Sequence, residues 1–421
     1  MYKVTELPNK IRVVTSPLKD RDSTSIGIWV GVGGRYEEDY NKGAAHFIEH
    51  IVFKGSKKYS CEGIKQLIEG VGGNLNAFTS EEQTCYYAKV PSKHLDRTFD
   101  ILADMVFSPN MDSKDVEKER TVILEEIKMY HDLPQYYVVE LLDGLLWPEH
   151  PLGKSLAGSE ESVGGMSTND LKSFYKKFYT PNNIVISGSG TLKHDDLVKL
   201  VSKKLLGFKE LARPHYVSVK DKKNTRRLHC HHKPTEQMHL ALGTRGLKTN
   251  HKDLYVLGVL NIIMGGNMSS RLFNEVREKR GLAYSIASTT KSLDDTGLFM
   301  IRAGVDNAKL VEAVELVLKV FRGLEQKGVT ADELKRAKDY FQGQFLLGLE
   351  DTLDHMLWIG EVVISKDQVR TLKDVVQKIR QVTLKDVLRV ANDHIPLKNF
   401  HLSVVGPVAD EQEKFLSNLL N

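Results

Sequence analysis

The sequence predicts an α+β protein built from two homologous domains, each a mostly antiparallel sheet with helices covering one side. Three observations support this fold class. The chain has 421 residues, which is long enough for two domains. In each half the predicted strands come first and a run of predicted helices follows. A helix–strand pattern near the end of the first half recurs near the end of the chain, which indicates an internal duplication.

The duplicated pattern has the same form in both halves of the chain. Each copy reads as a capped helix, a proline-containing turn and a strand that ends in glycine. The matching pairs are separated by 216 residues and are Asp170 with Asp386, Asn183 with Asn399, and Gly190 with Gly406. This period is too long for a solenoid repeat. We therefore predict domains at 1–207 and 228–421, joined by a basic, proline-containing linker at 208–227.

The other elements are predicted in the same order in each half. Opening strands are expected at 26–32 and 239–243. Amphipathic helices with good N-terminal caps are expected next, at 92–107 and 307–325. A second pair of helices follows at 113–130 and 330–349. The agreement in order favours duplication over a chance similarity of helix–strand units.

Charge, cysteine content and hydropathy exclude several classes of protein. The net charge of +4 is too balanced to indicate binding to nucleic acid or to an anionic membrane. Cys61, Cys85 and Cys230 are widely spaced and odd in number, so neither a disulfide framework nor a thiolate zinc site is indicated. Residues 1–10 lack the features of a signal or transit peptide. The apolar run at 254–264 is too short to span a bilayer. We predict a soluble, cytoplasmic protein.

The segment His46-Phe47-Ile48-Glu49-His50 carries two imidazoles and a carboxylate on what would be about one helical turn. His46 and His50 are four residues apart, so on a helix they share a face and can reach one metal ion. Imidazole is a good zinc ligand. Glu49 lies beside them and can act as a base toward water. The pattern predicts a zinc hydrolase, and the alternative is an exposed helix face with ordinary charges.

A catalytic zinc usually has three protein ligands, so a carboxylate should complete the set. The helix predicted at 113–130 offers Glu119, Glu125 and Glu126. Glu119 and Glu126 are seven residues apart and share one side of the helix, whereas Glu125 lies about 100° away from Glu126. One carboxylate can bind metal while another orients a ligating histidine. Spacing alone does not choose between Glu125 and Glu126, and a solvated acidic face is the alternative.

These motifs resemble those of the pitrilysin-type inverted zincins, which carry the H-x-x-E-H signature. The short chain with one duplicated pair of domains is similar to the mitochondrial processing peptidase branch and its bacterial relatives. The matching residues are His46, Glu49 and His50, then Glu119 and Glu126, with Gly43-Ala44-Ala45 before the motif and the stretch at 72–79 after it. The resemblance implies one zinc ion per chain, with Glu126 as the third ligand, Glu119 supporting a ligand and Glu49 as general base.

A second set of residues lies in the C-terminal half, where the resemblance implies that Arg277 and Tyr284 complete the active site. Arg277 would hold a substrate carbonyl or backbone group, and Tyr284 would donate a hydrogen bond to the developing oxyanion. Without the resemblance, they would be an exposed helix charge and a strand residue. The second half has no H-x-x-E-H motif. The resemblance also implies a dimer, and we expect a homodimer in which Arg277 and Tyr284 serve the partner's zinc.

The resemblance further implies that a peptide or unfolded substrate binds as an added β-strand within an enclosed chamber. The candidate edge is 74–90, with Asn76 and Ala77 nearest the metal, although an ordinary core strand is an equal alternative. Glu140 is the expected acidic partner for a basic substrate residue. Tyr136 departs from the family pattern and argues against strict presequence processing. Asn267 also departs from that pattern and argues against a fully flexible glycine-rich loop.

Two other functions compete with a zinc endopeptidase. A non-catalytic assembly subunit of the same fold is the first, and the intact set of His46, Glu49, His50 and Glu126 argues against it. A zinc hydrolase for small non-peptide substrates is the second, and the predicted two-domain architecture and edge strand disfavour it. Metal content after purification separates the first alternative from a peptidase.

Overall fold

The computed structural model describes residues 2–208, 214–220, 226–366 and 371–420. The chain forms two compact units, each built around one sheet. The first unit takes its described residues from 2–127, 155–217 and 346–371, and the second takes the remainder. Part of the linker predicted at 208–227 lies outside the described residues, namely 209–213 and 221–225. The boundaries predicted from the sequence at 1–207 and 228–421 remain a prediction.

The first unit contains a six-stranded sheet. Its strands are β1 (Lys3–Glu6), β2 (Arg12–Pro17), β3 (Ser23–Val30), β4 (Asn74–Thr79), β5 (Thr84–Pro91) and β6 (Ile184–Gly190). They pair in the order β1-β2-β6-β3-β5-β4, and only β2 and β6 run parallel. Strand β4 is therefore the terminal strand at one edge of this sheet.

The second unit contains a five-stranded sheet with the same order of corresponding strands. Its strands are β7 (Leu228–His232), β8 (Met238–Arg245), β9 (Ala283–Ser292), β10 (Gly297–Val305) and β11 (His401–Gly406). The order is β7-β11-β8-β10-β9, with β7 and β11 parallel and the other pairs antiparallel. Apart from the extra strand β1, this repeats the first sheet. The predicted fold class is confirmed.

Helices are numbered in chain order across both units. Those of the first unit are α1 (Ala44–Val52), α2 (Cys61–Glu69), α3 (Leu95–Phe107), α4 (Ser113–Asp132) up to residue 127, α6 (Glu160–Gly165), α7 (Thr168–Phe178), α8 (His194–Leu205) and α12 (Thr352–Lys366). Those of the second unit are α5 (Pro134–Leu146), α9 (Leu254–Met264), α10 (Leu310–Lys327), α11 (Ala331–Gly348) up to residue 345, α13 (Leu372–Gln381), α14 (Leu384–His394) and α15 (Asp410–Leu420).

The helices cover both faces of the first sheet, where the sequence predicted one covered side. Successive residues of a strand point to opposite faces. Ile28 of β3 packs in the large core formed with α1 and α3, whereas Trp29 packs in a separate cluster with residues of α12. A Cβ atom on Gly360 would clash with Trp29 Nε1, so α12 packs directly against the sheet. Local sequence patterns could not reveal that α12 packs on this sheet, because α12 comes from the other half of the chain.

Candidate metal centre

Helix α1 presents His46, Glu49 and His50 on one side and buries the other. Phe47, Ile48 and the neighbouring apolar residues of α1 are fully buried, whereas the three polar side chains are partly exposed. The spacing of apolar and polar residues therefore places both imidazoles and the carboxylate at the edge of the buried core, where they are partly exposed. The two imidazole rings lie next to each other, with their centroids 4.7 Å apart.

The N-terminus of α1 is fixed by Glu37, for which the sequence predicted no role. The Glu37 carboxylate is buried and accepts hydrogen bonds from the backbone N–H groups of Gly43 and Ala45, at 3.0 and 2.8 Å. Lys42 Nζ lies 3.1 Å from the same carboxylate. A carboxylate at this end of a helix accepts hydrogen bonds from the free N–H groups, and its negative charge interacts favourably with the helix dipole. Glu37 thus holds the helix that carries the motif, and no local spacing rule singles it out.

Helix α4 brings the predicted carboxylates to the two histidines. Glu126 Oε2 lies 3.8 Å from His46 Nε2 and 3.5 Å from His50 Nε2. Nδ1 of His50 donates a hydrogen bond of 3.2 Å to Glu119 Oε2. The other oxygen of Glu119 pairs with Lys54 Nζ. Two carboxylates two helical turns apart on α4 therefore contact different ring nitrogens of the histidines.

The structure distinguishes Glu126 from Glu125, which spacing alone could not do. Glu125 is exposed, whereas Glu126 is partly buried and faces both imidazoles. Glu119 is buried and contacts His50 through Nδ1, the ring nitrogen that faces away from Glu126. Because Glu119 occupies Nδ1, the Nε2 lone pair of His50 faces Glu126. The three side chains that share a common space are His46, His50 and Glu126.

The donor set fits a divalent metal such as zinc. Ligand atoms of His46, His50 and Glu126 all lie within 4.8 Å of one another. Two imidazole nitrogens and one carboxylate oxygen form a common set of protein ligands for a catalytic zinc. The remaining ring nitrogen of His46, Nδ1, is buried and has no hydrogen-bond partner among the described residues. The site therefore fits a zinc ion by both its chemistry and its spacing.

The surroundings shift the pKa of both histidines and of Glu49. Burial and the nearby His50 lower the pKa of His46 to about 4. Burial alone would lower the pKa of His50, but the hydrogen bonds that its protonated ring donates to Glu126 and Glu119 outweigh this and raise it. Burial also raises the pKa of Glu49, and the hydroxyl of Thr79 partly offsets that rise. Neutral imidazole is the form that binds metal.

Thr79 holds the carboxylate of Glu49 in place. The Thr79 hydroxyl donates a hydrogen bond of 2.6 Å to Glu49 Oε2. Thr79 is the last residue of β4, so the candidate base is tied to the edge strand of the sheet. Thr79 belongs to the stretch at 72–79 that resembles the family, but no role was predicted for it. Its position at the end of a strand that follows the motif was the available signal.

We expect Thr79→Val to lower kcat about tenfold and to move the acidic limb of the pH profile to higher pH. The hydroxyl stabilises the ionised form of Glu49, so its loss raises the pKa of that carboxyl. A general base works only when deprotonated. As the pH is lowered, the variant should therefore lose activity at a higher pH than the wild type does. The measurement is kcat/KM against pH for both proteins, with Thr121→Val on α4 as a control. An unchanged acidic limb would contradict this role of Thr79.

The residues predicted to bind substrate lie on two different elements. Asn76 and Ala77 lie on β4, and Asn76 is exposed. The Ala77 N–H donates a hydrogen bond of 2.8 Å to Asn76 Oδ1. The Asn76 side chain therefore pairs with the backbone N–H of Ala77. Glu140 lies on α5 in the second unit, 3.8 Å from His131 Nε2. The candidate edge of 74–90 resolves into the terminal strand β4 and the interior strand β5.

Arg277 and Tyr284 lie together in the second unit, as their predicted shared role requires. The Arg277 guanidinium is 5.9 Å from the ring centroid of Tyr284 and 4.7 Å from that of Phe273. Arg277 belongs to a π-helical segment, Phe273–Glu278, a form often found at functional sites. Tyr284 lies at an irregularity of the β9–β10 register and is 76% exposed. Such bulges reorient a side chain, and here Tyr284 points into solvent.

Two family models match consecutive parts of the chain. The model described as insulinase, peptidase family M16, matches residues 12–160, which include the complete candidate metal centre. The model described as the peptidase M16 inactive domain matches residues 165–341, which include Arg277 and Tyr284. Among the described residues, no helix combines the length and apolarity needed to cross a membrane.

Several bacterial proteins are similar to this chain over nearly their whole length. An uncharacterized zinc protease of Bacillus subtilis, YmxG, is 35% identical over 97% of this chain and 98% of its own length. An uncharacterized zinc protease of Streptomyces coelicolor, SCO5738, is 36% identical over 97% of this chain and 90% of its own. A crystal structure of a protease from Helicobacter pylori superposes with a TM-score of 0.90 at 23% identity, covering 97% of this chain and 99% of that one. The last similarity is one of fold.

Proposed function

This chain belongs to peptidase family M16, and from that premise we propose that it is a zinc-dependent endopeptidase that cleaves peptides or unfolded protein segments. Relatives that match almost the entire chain are named zinc proteases, which supports a protease function and zinc binding. The observation that carries the proposal is the convergence of His46, His50 and Glu126 beside Glu49. The first three residues would supply the metal ligands, and Glu49 would supply the base, that metal-assisted hydrolysis of a peptide bond needs.

His46, His50 and Glu126 would hold one zinc ion per chain. When bound, zinc supplies a Lewis acid that polarises the scissile carbonyl and makes water easier to deprotonate. Glu119 fixes the ring of His50 through the hydrogen bond to Nδ1, and Lys54 in turn holds Glu119. A partner of this kind sets the tautomer and orientation of a ligating histidine.

Glu49 would act as the general base and then as the general acid. Its Oε2 is held by Thr79, and burial raises its pKa, which makes the carboxylate a stronger base toward water. In the proposed reaction Glu49 takes a proton from the attacking water. It then delivers that proton to the departing amine as the C–N bond breaks.

We propose that the substrate binds as an added strand along β4. This strand is the edge of its sheet, and among the described residues no strand pairs with its outer side. Backbone hydrogen bonds would hold the substrate, so binding would favour extended, unfolded segments over particular side chains. Asn76 would turn away to release the Ala77 N–H for the incoming chain. Enclosure of the site in a chamber, which the family resemblance implies, would further exclude folded proteins.

Arg277 and Tyr284 are proposed to act across a homodimer, each pair serving the metal centre of the partner subunit. The pair is preformed, and the exposed Tyr284 hydroxyl is available to a neighbouring molecule. Arg277 would position a substrate carbonyl, and Tyr284 would donate a hydrogen bond to the oxyanion that forms at the scissile bond. Glu140 is proposed to attract a basic residue of the substrate.

Mixing two inactive variants tests whether sites are shared. One carries Arg277→Ala and Tyr284→Phe, and the other carries Glu49→Gln. If the pair acts in trans, each mixed dimer has one complete site, and random mixing of equal amounts should recover about a quarter of wild-type activity. Peptide hydrolysis is measured after dimers are exchanged and their composition is verified by mass spectrometry. No recovery in verified mixed dimers would contradict sharing.

Metal removal tests the proposed activity itself. Wild-type protein is assayed on a quenched fluorescent peptide library before chelation, after chelation and after addition of zinc. We expect cleavage of unstructured peptides to disappear with the metal and to return with stoichiometric zinc, because the ligands are already assembled in the fold. Magnesium added at the same concentration is the matched control, since two imidazoles suit zinc and not magnesium. Undiminished cleavage by metal-free protein would contradict the proposal.

A further inference from the structure

Arg35 is a buried cation in the short 3-10 turn that follows β3 in the first unit. Its side chain is 0% exposed. A buried charge is costly unless it is paired and hydrogen-bonded, so the partners of Arg35 indicate what the residue does. We propose that Arg35 is a positioning residue that holds Thr79 in place against Glu49. This inference rests on the proposed function of Glu49 as the general base.

The guanidinium of Arg35 pairs with the hairpin that joins β4 to β5. It donates a hydrogen bond of 2.5 Å to Glu82 Oε1. Glu82 lies three residues after Thr79, which is the last residue of β4. The backbone makes a second contact, because the N–H of Arg35 donates to the Glu81 carbonyl at 2.8 Å. Arg35 therefore holds the hairpin by its side chain and by its backbone.

The segment that carries Arg35 also holds the helix of the histidine motif. Glu37, two residues further along the chain, accepts hydrogen bonds from two backbone N–H groups at the start of α1. Residues 34–37 thus contact both the hairpin that carries Thr79 and the helix that carries Glu49. The relative position of these two elements decides whether the Thr79 hydroxyl reaches Glu49 Oε2, which it does at 2.6 Å.

The segment 214–217 covers the guanidinium on another side. The guanidinium of Arg35 lies over the ring of Tyr216, with its central carbon 3.8 Å from the ring centroid. One of its terminal nitrogens donates a hydrogen bond of 3.2 Å to the Val217 carbonyl. A planar guanidinium that is stacked on a ring and hydrogen-bonded at its edge is held in one orientation. These contacts therefore keep the guanidinium directed at Glu82.

The alternative is a structural ion pair that leaves Glu49 unaffected. A buried ion pair is in itself weak evidence for stability, because the cost of desolvation can exceed the attraction. The two roles differ in how substitutions combine. If Arg35 acts through Thr79, removing its side chain should have no further effect on kcat once the Thr79 hydroxyl is absent. An independent structural effect would instead be the same with and without that hydroxyl.

The first test is a double-mutant cycle on Arg35 and Thr79. We expect Arg35→Met to lower kcat about tenfold at nearly constant KM, the same loss as for Thr79→Val, because a base that is displaced slows the chemical step. In Thr79→Val protein, Arg35→Met should lower kcat by less than about twofold. Peptide hydrolysis, zinc content and melting temperature are measured on all four proteins. A tenfold loss in both backgrounds would overturn the proposal.

Tyr216→Leu covers the case in which Arg35→Met does not fold. Tyr216 is only partly buried, so this change removes the stacking on the guanidinium and leaves the core intact. We expect kcat to fall about threefold, and the loss should vanish in the Thr79→Val background. Tyr40→Leu is the matched control, because Tyr40 is an exposed aromatic residue a few positions after Arg35. A Tyr216→Leu protein with the kcat of the wild type would contradict the inference.

Amide hydrogen exchange provides a readout that does not depend on activity. Exchange at residues 78–84 is compared between wild-type and Tyr216→Leu protein. We expect it to be at least about threefold faster in the variant, because the hairpin loses part of its anchor. Wild-type protein that cleaves no peptide would contradict the proposed function. Unchanged exchange in the variant would overturn the inference about Arg35.

Discussion

Replacing Glu49 with glutamine is expected to abolish peptide hydrolysis while leaving the zinc in place. The change removes the only proton acceptor that the mechanism uses but keeps the shape of the side chain and its contact with Thr79. General-base catalysis typically contributes about 10²- to 10⁴-fold, so kcat should fall by at least that factor. The measurement is the steady-state rate on a quenched fluorescent peptide, with zinc content determined on the same preparations.

A matched control shows that the loss belongs to this carboxylate. Glu69 is exposed near the end of α2, and Glu69→Gln should leave both rate and zinc content at wild-type levels. A Glu49→Gln protein that still cleaves at a wild-type rate would exclude Glu49 as the base. Loss of zinc from this variant would instead make Glu49 part of the ligand set.

Replacing Glu126 with glutamine is expected to weaken zinc binding by at least about 10²-fold, because a ligand contributes no less than its supporting partners do. Glutamine has nearly the same shape but lacks the negative charge that both imidazoles face at 3.8 and 3.5 Å. Glu125→Gln is the matched control, since that side chain is the adjacent carboxylate and is exposed. It should bind zinc as the wild type does.

Zinc affinity of the two variants is measured by competition with a chelator that reports free zinc. The pair decides between the two carboxylates that helical spacing left open. If Glu125→Gln loses zinc and Glu126→Gln keeps it, the ligand assignment is wrong. Activity provides a second readout, because peptide hydrolysis should follow zinc occupancy in both proteins.

The parts of the site that a helix brings together locally could be predicted from the sequence. His46, Glu49 and His50 are within one turn, and Glu119 and Glu126 are two turns apart on one side of α4. Helical periodicity fixes such relations without knowledge of the fold. The duplication was also visible, because both copies keep the same capped helix and following strand.

Relations between distant segments could not be predicted in this way. The hydrogen bond from Thr79 to Glu49 depends on how β4 lies beside α1, and the cap by Glu37 depends on a loop. The placement of α12 on the first sheet joins segments more than 300 residues apart. The meeting of Asp253 and His394 likewise arises only when α9 packs on α14. Each of these contacts is a product of tertiary packing.

Anomalous diffraction at the zinc edge, from crystals of zinc-loaded and active protein, would locate the metal directly. We expect a peak in the first unit bounded by His46 Nε2, His50 Nε2 and the Glu126 carboxylate, with Glu49 alongside it. Protein that cleaves peptides but shows no zinc among these three residues would contradict the proposed metal centre.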